Sequence, residues 1–262
     1  MDLDEIEAYY DTVPRAVATT EEVGPFTLFL AVDGIDWQFY ARPRLGSSQR
    51  FTPDDVRRVL ARQTELGRPR SIEWVDQVTP SLLPAVSAAG HEAGRYPLLA
   101  LPEETEVSVS GHTRPLSADD SDLALAVGAV HAAFQGDDEV TARPVGQRSQ
   151  LIAEGRLIQV AAYDAGGRLV GSGSAAPRGE TAELMGIGVP PAHRTAGVGT
   201  AITRALVQAC REAGVRTVFL SAYTDQAAGI YRRVGFRDVG TACILEAGDE
   251  ARGESGDESG DE

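Results

Sequence analysis

The hydrophobic pattern in the second half of the chain predicts alternating strands and helices. Apolar residues that recur at every second position indicate strands, and apolar residues spaced by three or four indicate helices. In chain order, the pattern predicts a helix over 119–134, strands over 157–163, 169–176 and 182–189, a helix over 200–213, a strand over 217–222, a helix over 226–234 and a strand over 239–246. This mixture of elements predicts an α+β (mixed α/β) domain.

The first half of the chain has a related order of elements. The predicted elements are a helix over 6–18, strands over 26–32 and 37–41 joined at Asp33-Gly34, a helix that begins after Thr52, a strand over 71–75, a helix over 80–89 and a strand over 96–101. The order of elements in 65–101 repeats the order in 212–245. This repetition indicates either an internal half-repeat or a chance match between two common units.

A polar connection at 102–106 separates the two halves, so we place a domain boundary near residue 105. This boundary divides the chain into domains over 1–105 and 106–247. The remaining residues, 248–262, consist of Gly, Ser, Asp, Glu, Ala and one Arg, and this composition predicts a disordered acidic tail.

Two glycines, Gly197 and Gly199, open the helix that follows the strand over 182–189. Glycine lets the backbone approach an anion without a Cβ in the way. The free N–H groups at a helix N-terminus attract negative charge. The sequence therefore predicts an anion site in this turn, where the amides of Ala196 to Thr200 bind a pyrophosphate. The alternative is a helix start that binds no ligand.

The charge of the chain disfavours several kinds of partner. Its 262 residues carry a formal net charge of −15, and all 24 basic residues are arginine. Nucleic acids and anionic membranes bind basic surfaces, so we expect neither as a partner. The lack of lysine excludes lysine Schiff-base chemistry and a Walker-type phosphate loop. An amine substrate fits the acidic balance better.

The cysteines and histidines do not indicate a metal site. Cys210 and Cys243 lie far apart in apolar contexts, which predicts buried thiols in a reducing compartment. The four histidines lack the spacing of metal ligands. The first 20 residues are acidic without an apolar core, and no apolar run reaches the roughly 18 residues of a membrane helix. These observations predict a cytoplasmic protein without a metal.

Three motifs, in order along the chain, match those of one family. The matching residues are Glu183 and Val189 in the strand, Arg194, Gly197 and Gly199 in the turn, and Tyr231, Gly235 and Phe236 near the last helix. By these motifs residues 112–246 resemble the Gcn5-related N-acetyltransferases (GNAT), which transfer an acyl group from acyl-CoA to an amine. The family often has asparagine where Thr224 stands here, and Thr224 is also a good N-cap for its helix.

The resemblance implies a fold, a cosubstrate and a set of site residues. The implied fold is a mostly antiparallel central sheet flanked by helices, with 1–105 as a second, degenerate GNAT-like domain. Glu183 would be the base that deprotonates the amine, and Tyr231 the acid that protonates the leaving thiolate. The residues expected to bind acetyl-CoA are Ile187, Gly188, Val189, Arg194, Thr195, Ala196, Gly197, Val198, Gly199 and Thr200.

The resemblance also implies a reaction class and a kind of acceptor. We expect an acetyl-CoA-dependent N-acyltransferase that acts on a primary amine of a small molecule or of a peptide or protein. The alternative is a non-catalytic acyl-CoA sensor or partner-binding protein on the same fold. The identity of the acceptor and the oligomeric state stay open, with a homodimer as one option.

Overall fold

A computed structural model of the chain describes residues 2–32, 40–109, 111–194 and 196–248. Four of the sequence-based expectations lie wholly or partly outside these residues. They concern Thr195 as a ligand of the cosubstrate, the turn at Asp33-Gly34, the predicted strand over 37–41, of which 37–39 are not described, and the acidic tail from residue 249 onward.

The described residues form seven α-helices and eleven strands. The helices are α1 (Leu3–Arg15), α2 (Pro53–Glu65), α3 (Leu82–Ala88), α4 (Leu123–Gln135), α5 (Arg148–Ala153), α6 (Val198–Glu212) and α7 (Asp225–Val234). The strands are β1 (Ala18–Val23), β2 (Phe26–Ala31), β3 (Ala41–Pro43), β4 (Arg70–Val75), β5 (Gly94–Leu101), β6 (His112–Leu116), β7 (Ile158–Tyr163), β8 (Leu169–Arg178), β9 (Thr181–Gly188), β10 (Thr217–Ser221) and β11 (Arg237–Ala247).

The chain divides into two compact units, and each unit is built from two separate stretches. The first unit comprises Met1–Val13 and Tyr96–Ala242, and the second comprises Pro14–Arg95 and Cys243–Glu262. The chain therefore passes between the two units more than once.

The sheet of the first unit contains six strands in the order β5-β10-β9-β8-β7-β6. The pairing of β9 with β10 is parallel, and the other four pairings are antiparallel. This mixed sheet with its flanking helices confirms the predicted fold class. The predicted elements of the second half are present with small shifts at their ends, whereas β6 and α5 were not predicted.

Helices cover both faces of this sheet. Buried residues of α6, such as Ile202 and Leu206, share a core with Ala182 and Leu184 of β9. Successive side chains of a strand point to opposite faces, so Glu183 lies on the face away from α6. That second face carries α4 and α1; Tyr9 and Tyr10 of α1 pack edge-to-face on Phe219 of β10, with ring centroids 5.0 and 5.4 Å away.

The second unit has its own strands, helices and apolar core. The strands β1, β2 and β3 pair in antiparallel fashion, and β3 pairs with β4 in parallel. Helix α2 begins as predicted, because Thr52 caps it and forms a reciprocal capping box with Asp55. Trp74 is fully buried in this core, which also contains Cys243 and Leu245 from the end of β11.

Every helix in the described residues is too short or too polar to cross a membrane. Within the same ranges, no three His, Cys, Asp or Glu side chains are grouped so that they could hold a metal ion.

Candidate active site

The strands β9 and β10 pair only at their beginnings. Their parallel register runs from Thr181 to Glu183, opposite Thr217 to Phe219. No register joins them beyond Glu183 in the described residues, although β9 continues to Gly188. The two strands therefore part after Glu183, and the backbone from there to Gly188 is released from β10 on that side.

A β-bulge lies in the released part of β9. Ser172 and Ser174 of β8 are two residues apart, but they pair with Gly188 and Met185, which are three apart. The extra residue is accommodated because Gly186 adopts a φ of +56°, which favours glycine. Bulges bend a strand and redirect its side chains, so this one fixes how the end of β9 faces its surroundings.

Gly188 allows α4 to pack closely against β9. A Cβ on Gly188 would lie 2.8 Å from Val130 Cα and 3.0 Å from Ala133 Cβ. No side chain fits there without a shift of the helix backbone. This glycine is thus required by packing against the protein itself, in addition to any contact it makes with a ligand.

Two cavities adjoin at the end of β9 and together form what we call the α6 cavity. The smaller, of about 240 Å³, is lined by Ala133, Phe134, Ile187, Gly188, Val189, Arg194, Gly199, Ala227, Ile230 and Tyr231. The larger, of about 590 Å³, is lined by Val189, His193, Arg194, Gly197, Val198, Gly199, Thr200, Thr224, Gln226, Ala227, Ile230 and Arg233. Five residues line both, so the two parts are continuous.

The N-terminus of α6 forms one wall of the α6 cavity. Gly197 caps the helix with a φ of +78°, and its carbonyl accepts the hydrogen bond of the Ala201 amide at 3.0 Å. Ala201 is the first residue whose amide bonds within the helix. The amides of Val198, Gly199 and Thr200, which come before it in the chain, have no partner within the helix. A Cβ on Gly199 would meet no protein atom closer than 3.9 Å, so the space beside it is open to a ligand. These features fit a pyrophosphate.

Arg194 braces the loop after β9. Its Nε donates a hydrogen bond to the carbonyl of Val189, and Nη2 donates one to the carbonyl of Ala133, both at 2.9 Å. The guanidinium therefore ties the end of β9 to the end of α4. Arg194 also lines the α6 cavity, but its described contacts are with the backbone of the protein.

Tyr231 lies on α7 and lines the smaller part of the α6 cavity. Its ring packs against Phe236 with centroids 6.2 Å apart. Burial raises the pKa of the Tyr231 phenol, so the hydroxyl keeps its proton at neutral pH. Among the described residues, that hydroxyl has no hydrogen-bond partner. Thr224 caps α7 as predicted, accepting the amide of Ala227 at 3.1 Å.

Glu183 is held by a residue from the beginning of the chain. The Tyr10 hydroxyl donates a hydrogen bond to Glu183 Oε1 at 2.9 Å. Tyr10 is buried and Glu183 is half-buried. Nothing in the local sequence around either residue indicates this contact, and the sequence analysis did not single out Tyr10.

A family comparison agrees with this geometry. Residues 129–236 match the model of the acetyltransferase (GNAT) family. They form a GNAT domain. The matched segment contains α6, α7, the bulged strand β9 and every residue that lines the α6 cavity.

Solved structures resemble the chain beyond the GNAT domain. A GCN5-related N-acetyltransferase from Kribbella flavida is 21% identical, with a TM-score of 0.72 over 93% of this chain and 94% of its own. One from Sphaerobacter thermophilus is 14% identical, with a TM-score of 0.61 over 94% and 85%. A tandem GNAT protein from the clavulanic acid biosynthesis pathway is 16% identical, with a TM-score of 0.53 over 85% and 78%. At these identities the likeness shows the fold; no protein of curated function matches the chain.

The GNAT domain brings most of the predicted ligand residues to one cavity. Of the ten, eight line the α6 cavity: Ile187, Gly188, Val189, Arg194, Gly197, Val198, Gly199 and Thr200. Ala196 is exposed and lines neither part, and Thr195 lies outside the described residues. Tyr231 faces the cavity. Glu183 is not among the residues that line it; it sits where β9 and β10 part, on the face covered by α1.

Proposed function

We propose that this protein is an N-acyltransferase that transfers acetyl from acetyl-CoA to a primary amine of a small molecule or protein. The α6 cavity carries the proposal, because a helix N-terminus suited to a pyrophosphate continues into a space lined by Tyr231. The GNAT match over 129–236 supports an acetyltransferase in general. The choice of acetyl and of a direct attack by the amine belongs to the proposal.

The residues of the α6 cavity fit the parts of the cosubstrate. The amides of Val198, Gly199 and Thr200 would hold the pyrophosphate, and the backbone of Ile187 to Val189 would bind the pantetheine arm. Acetyl-CoA supplies the acyl group as an activated thioester. A cavity wall of alternating apolar side chains and open backbone suits a long, amide-bearing arm.

Glu183 is proposed as the base. An alkyl ammonium has a pKa of about 10, so a proton must be removed before the amine nitrogen can attack. Glu183 would take that proton on its carboxylate, directly or through a water. Its place at the last paired position of β9 supports this role, because β9 parts from β10 there and its end goes on to line the α6 cavity.

Tyr231 is proposed as the acid. Its raised pKa keeps the phenol protonated, so its hydroxyl can deliver a proton to the sulfur that leaves as the carbon–sulfur bond breaks. The ammonium loses two protons in all, one to Glu183 before the attack and one from the nitrogen as the amide forms, while Tyr231 gives one proton to the thiolate. The products are therefore an amide, a free thiol and one proton that is released to solvent. The hydroxyl lacks a partner among the described residues, which leaves it available to a ligand.

The second unit is proposed as a degenerate GNAT-like domain. Its sequence lacks the glycine turn and a counterpart of Tyr231. One of the similar structures is a tandem GNAT protein, which supports this proposal. The catalytic domain is proposed over 106–247. The first compact unit contains most of this range and also includes the start of α1 and most of β5.

The test is a thiol-release assay with acetyl-CoA and a panel of polyamines, aminoglycosides, amino acids and peptides. Glu183→Gln and Tyr231→Phe should each lower kcat about 100-fold or more while acetyl-CoA still binds. Glu180→Gln, at the exposed turn before β9, is the matched control. If acetyl-CoA binds but turnover is near zero and unchanged in both variants, the non-catalytic sensor is favoured. If acetyl-CoA does not bind, the proposal is wrong.

A further inference from the structure

A third cavity, of about 280 Å³, lies on the face of the sheet that carries Glu183. It is lined by Val127, Val130, His131, Phe134, Arg148, Gln159, Ser174 and Gly186. We call it the Arg148 cavity. Ser174 pairs with Met185, and Ala176 pairs with Glu183, so these pairs succeed each other on one face of β8 and β9. The cavity thus begins one pair away from the proposed base.

The Arg148 cavity also borders the α6 cavity. Phe134, a largely exposed residue of α4, lines both cavities. At the bulge in β9, Gly186 lines the Arg148 cavity and Ile187 lines the α6 cavity. A molecule in the Arg148 cavity would therefore lie between the proposed base and the part of the α6 cavity that Ile187 and Tyr231 line, where the acceptor has to be.

Arg148 is held in place by a chain of neutral groups. Its Nη1 donates to Gln159 Oε1 at 3.0 Å. The amide of Gln159 donates to Ser172 Oγ at 2.7 Å and to the carbonyl of Gly173 at 3.1 Å. Ser172 in turn donates to the carbonyl of Val160 at 2.8 Å. This series of hydrogen bonds orients the Gln159 side-chain oxygen toward the guanidinium of Arg148, but none of its groups carries a negative charge.

The charge of Arg148 is therefore unbalanced inside the protein. Three other arginines each pair with two carboxylates: Arg62, Arg114 and Arg232. Among the described residues, Arg148 has no carboxylate within ion-pair distance. The guanidinium is half-buried, and burial lowers its pKa. A desolvated cation without a counter-ion is costly, so an anion that enters the cavity would recover part of that cost.

We propose that Arg148 binds the carboxylate of the amine acceptor, so that the acceptor is a small amino acid or a similar amino-carboxylic acid. A guanidinium matches a carboxylate in shape and can bind both of its oxygens. The inference rests on the proposed acyltransferase function. Val127, Val130 and Phe134 give the cavity an apolar wall, which suits the carbon chain between the two charged groups. A zwitterion also agrees with the acidic protein, since its net charge is near zero.

The first experiment compares amine acceptors with and without a carboxylate. The pairs are L-leucine and 3-methylbutylamine, L-phenylalanine and 2-phenylethylamine, and 4-aminobutyrate and propylamine, each assayed by thiol release from acetyl-CoA. For at least one pair, kcat/KM of the acid should exceed that of the plain amine tenfold or more. Arg148→Met should abolish the preference through KM of the acid, and Arg148→Lys should retain part of it. Arg143→Met, at an exposed arginine nearby, should keep the full preference.

A second experiment does not depend on turnover. The same acids and their N-acetyl derivatives are titrated calorimetrically into the wild-type protein and into the Arg148 variants, whose folding is checked by circular dichroism. Binding should weaken tenfold or more in Arg148→Met. Equal use of acids and plain amines, together with carboxylate binding that does not depend on Arg148, would overturn the inference and leave the acyltransferase proposal standing. Failure of acetyl-CoA to bind would overturn the acyltransferase proposal, and the titration would still decide whether the cavity binds carboxylates.

Discussion

The hydroxyl of Tyr10 donates a hydrogen bond to Oε1 of Glu183 at 2.9 Å, across 173 residues of sequence. Phe219, the register partner of Glu183 on β10, packs edge-to-face against the Tyr10 ring. The first helix of the chain thus holds the carboxylate at the point where β9 and β10 part. Tyr10 is a positioning residue for Glu183 in the proposed reaction.

Tyr10→Phe should lower kcat about three- to tenfold and leave KM for acetyl-CoA unchanged. A hydrogen bond donated to a carboxylate stabilises its charged form. Without that bond, the acidic limb of the kcat/KM profile should move to higher pH. The measurement is a pH–rate profile of both proteins with one good amine acceptor.

Tyr9→Phe is the matched control for this prediction. The Tyr9 hydroxyl donates to the carbonyl of Ala176 at 2.7 Å, so the variant also loses one hydrogen bond between α1 and the sheet. Its pH–rate profile should stay at the wild-type position. An equal shift in both variants would show that α1 acts only by stabilising the fold.

Alanine at two glycines should separate folding from cosubstrate binding. Gly188→Ala should lower the free energy of unfolding by about 1–3 kcal/mol, because its Cβ would clash with the backbone of Val130. Gly199→Ala should not destabilise the protein, since its Cβ meets nothing closer than 3.9 Å and alanine favours a helix. Its methyl group would intrude on the α6 cavity and raise KM for acetyl-CoA about tenfold or more. Thermal melting and acetyl-CoA titration measure the two effects; the reverse pattern would contradict the assignment of the cavity.

Glu73 should make the stability of the protein depend on pH. Burial raises its pKa to about 7; the charge of Arg42 lowers this pKa, and the charge of Glu246 raises it further. The carboxyl has a pKa of 4.5 without these influences. Between these values the folded state binds the proton more tightly, so the free energy of unfolding falls as pH rises, by at most about 1.4 kcal/mol per pH unit.

Glu73→Gln should remove this part of the pH dependence. Urea denaturation at pH 5 and pH 8 should differ less in the variant than in the wild type, whatever the absolute stability of the variant. Glu92→Gln, at an exposed glutamate of the same unit, should behave as the wild type does. An unchanged difference between the two pH values in Glu73→Gln would contradict the prediction.

The two cysteines should be unreactive in the folded protein. Both are fully buried free thiols, and burial raises the pKa of Cys210 to about 12 and that of Cys243 to about 11. Because the thiolate is the reactive form, a disulfide reagent at pH 8 should label neither in native protein and both after denaturation. Labelling of the native protein would show that a core opens. The result also decides whether thiol release can be followed without a background from the protein.

Elements with local signals at their ends could be predicted from the sequence. Thr52 and Thr224 accept backbone amides at the starts of α2 and α7, and Gly197 and Gly235 adopt the left-handed conformation next to α6 and α7. These residues act on neighbours within a few positions, so their effect is visible in a short window of sequence. The glycine turn of the α6 cavity was found for the same reason.

Elements without such signals were missed. Strand β1 is mostly polar and lacks an alternating pattern, and it is stabilised by its pairing with the apolar strand β2. Helix α5 has six residues and no side-chain cap, so Arg148 was not recognised as a candidate. The bulge at Gly186 had one usable signal, since a glycine inside a strand pattern often marks a bulge. Tyr10 had none, because its partner is distant in sequence.

The division of each unit into two stretches constrains how the protein is completed during synthesis. Tyr9 is made early, but Ala176, which accepts its hydrogen bond, follows 167 residues later. Cys243 and Leu245, which belong to the core of the second unit, come from the last strand of all. Domains made first usually fold first at the ribosome, but here neither unit has all of its parts until β11 has emerged. A nascent chain that stalls before this strand therefore exposes unfinished surfaces of both units, and cutting the gene between them would not yield two independent proteins.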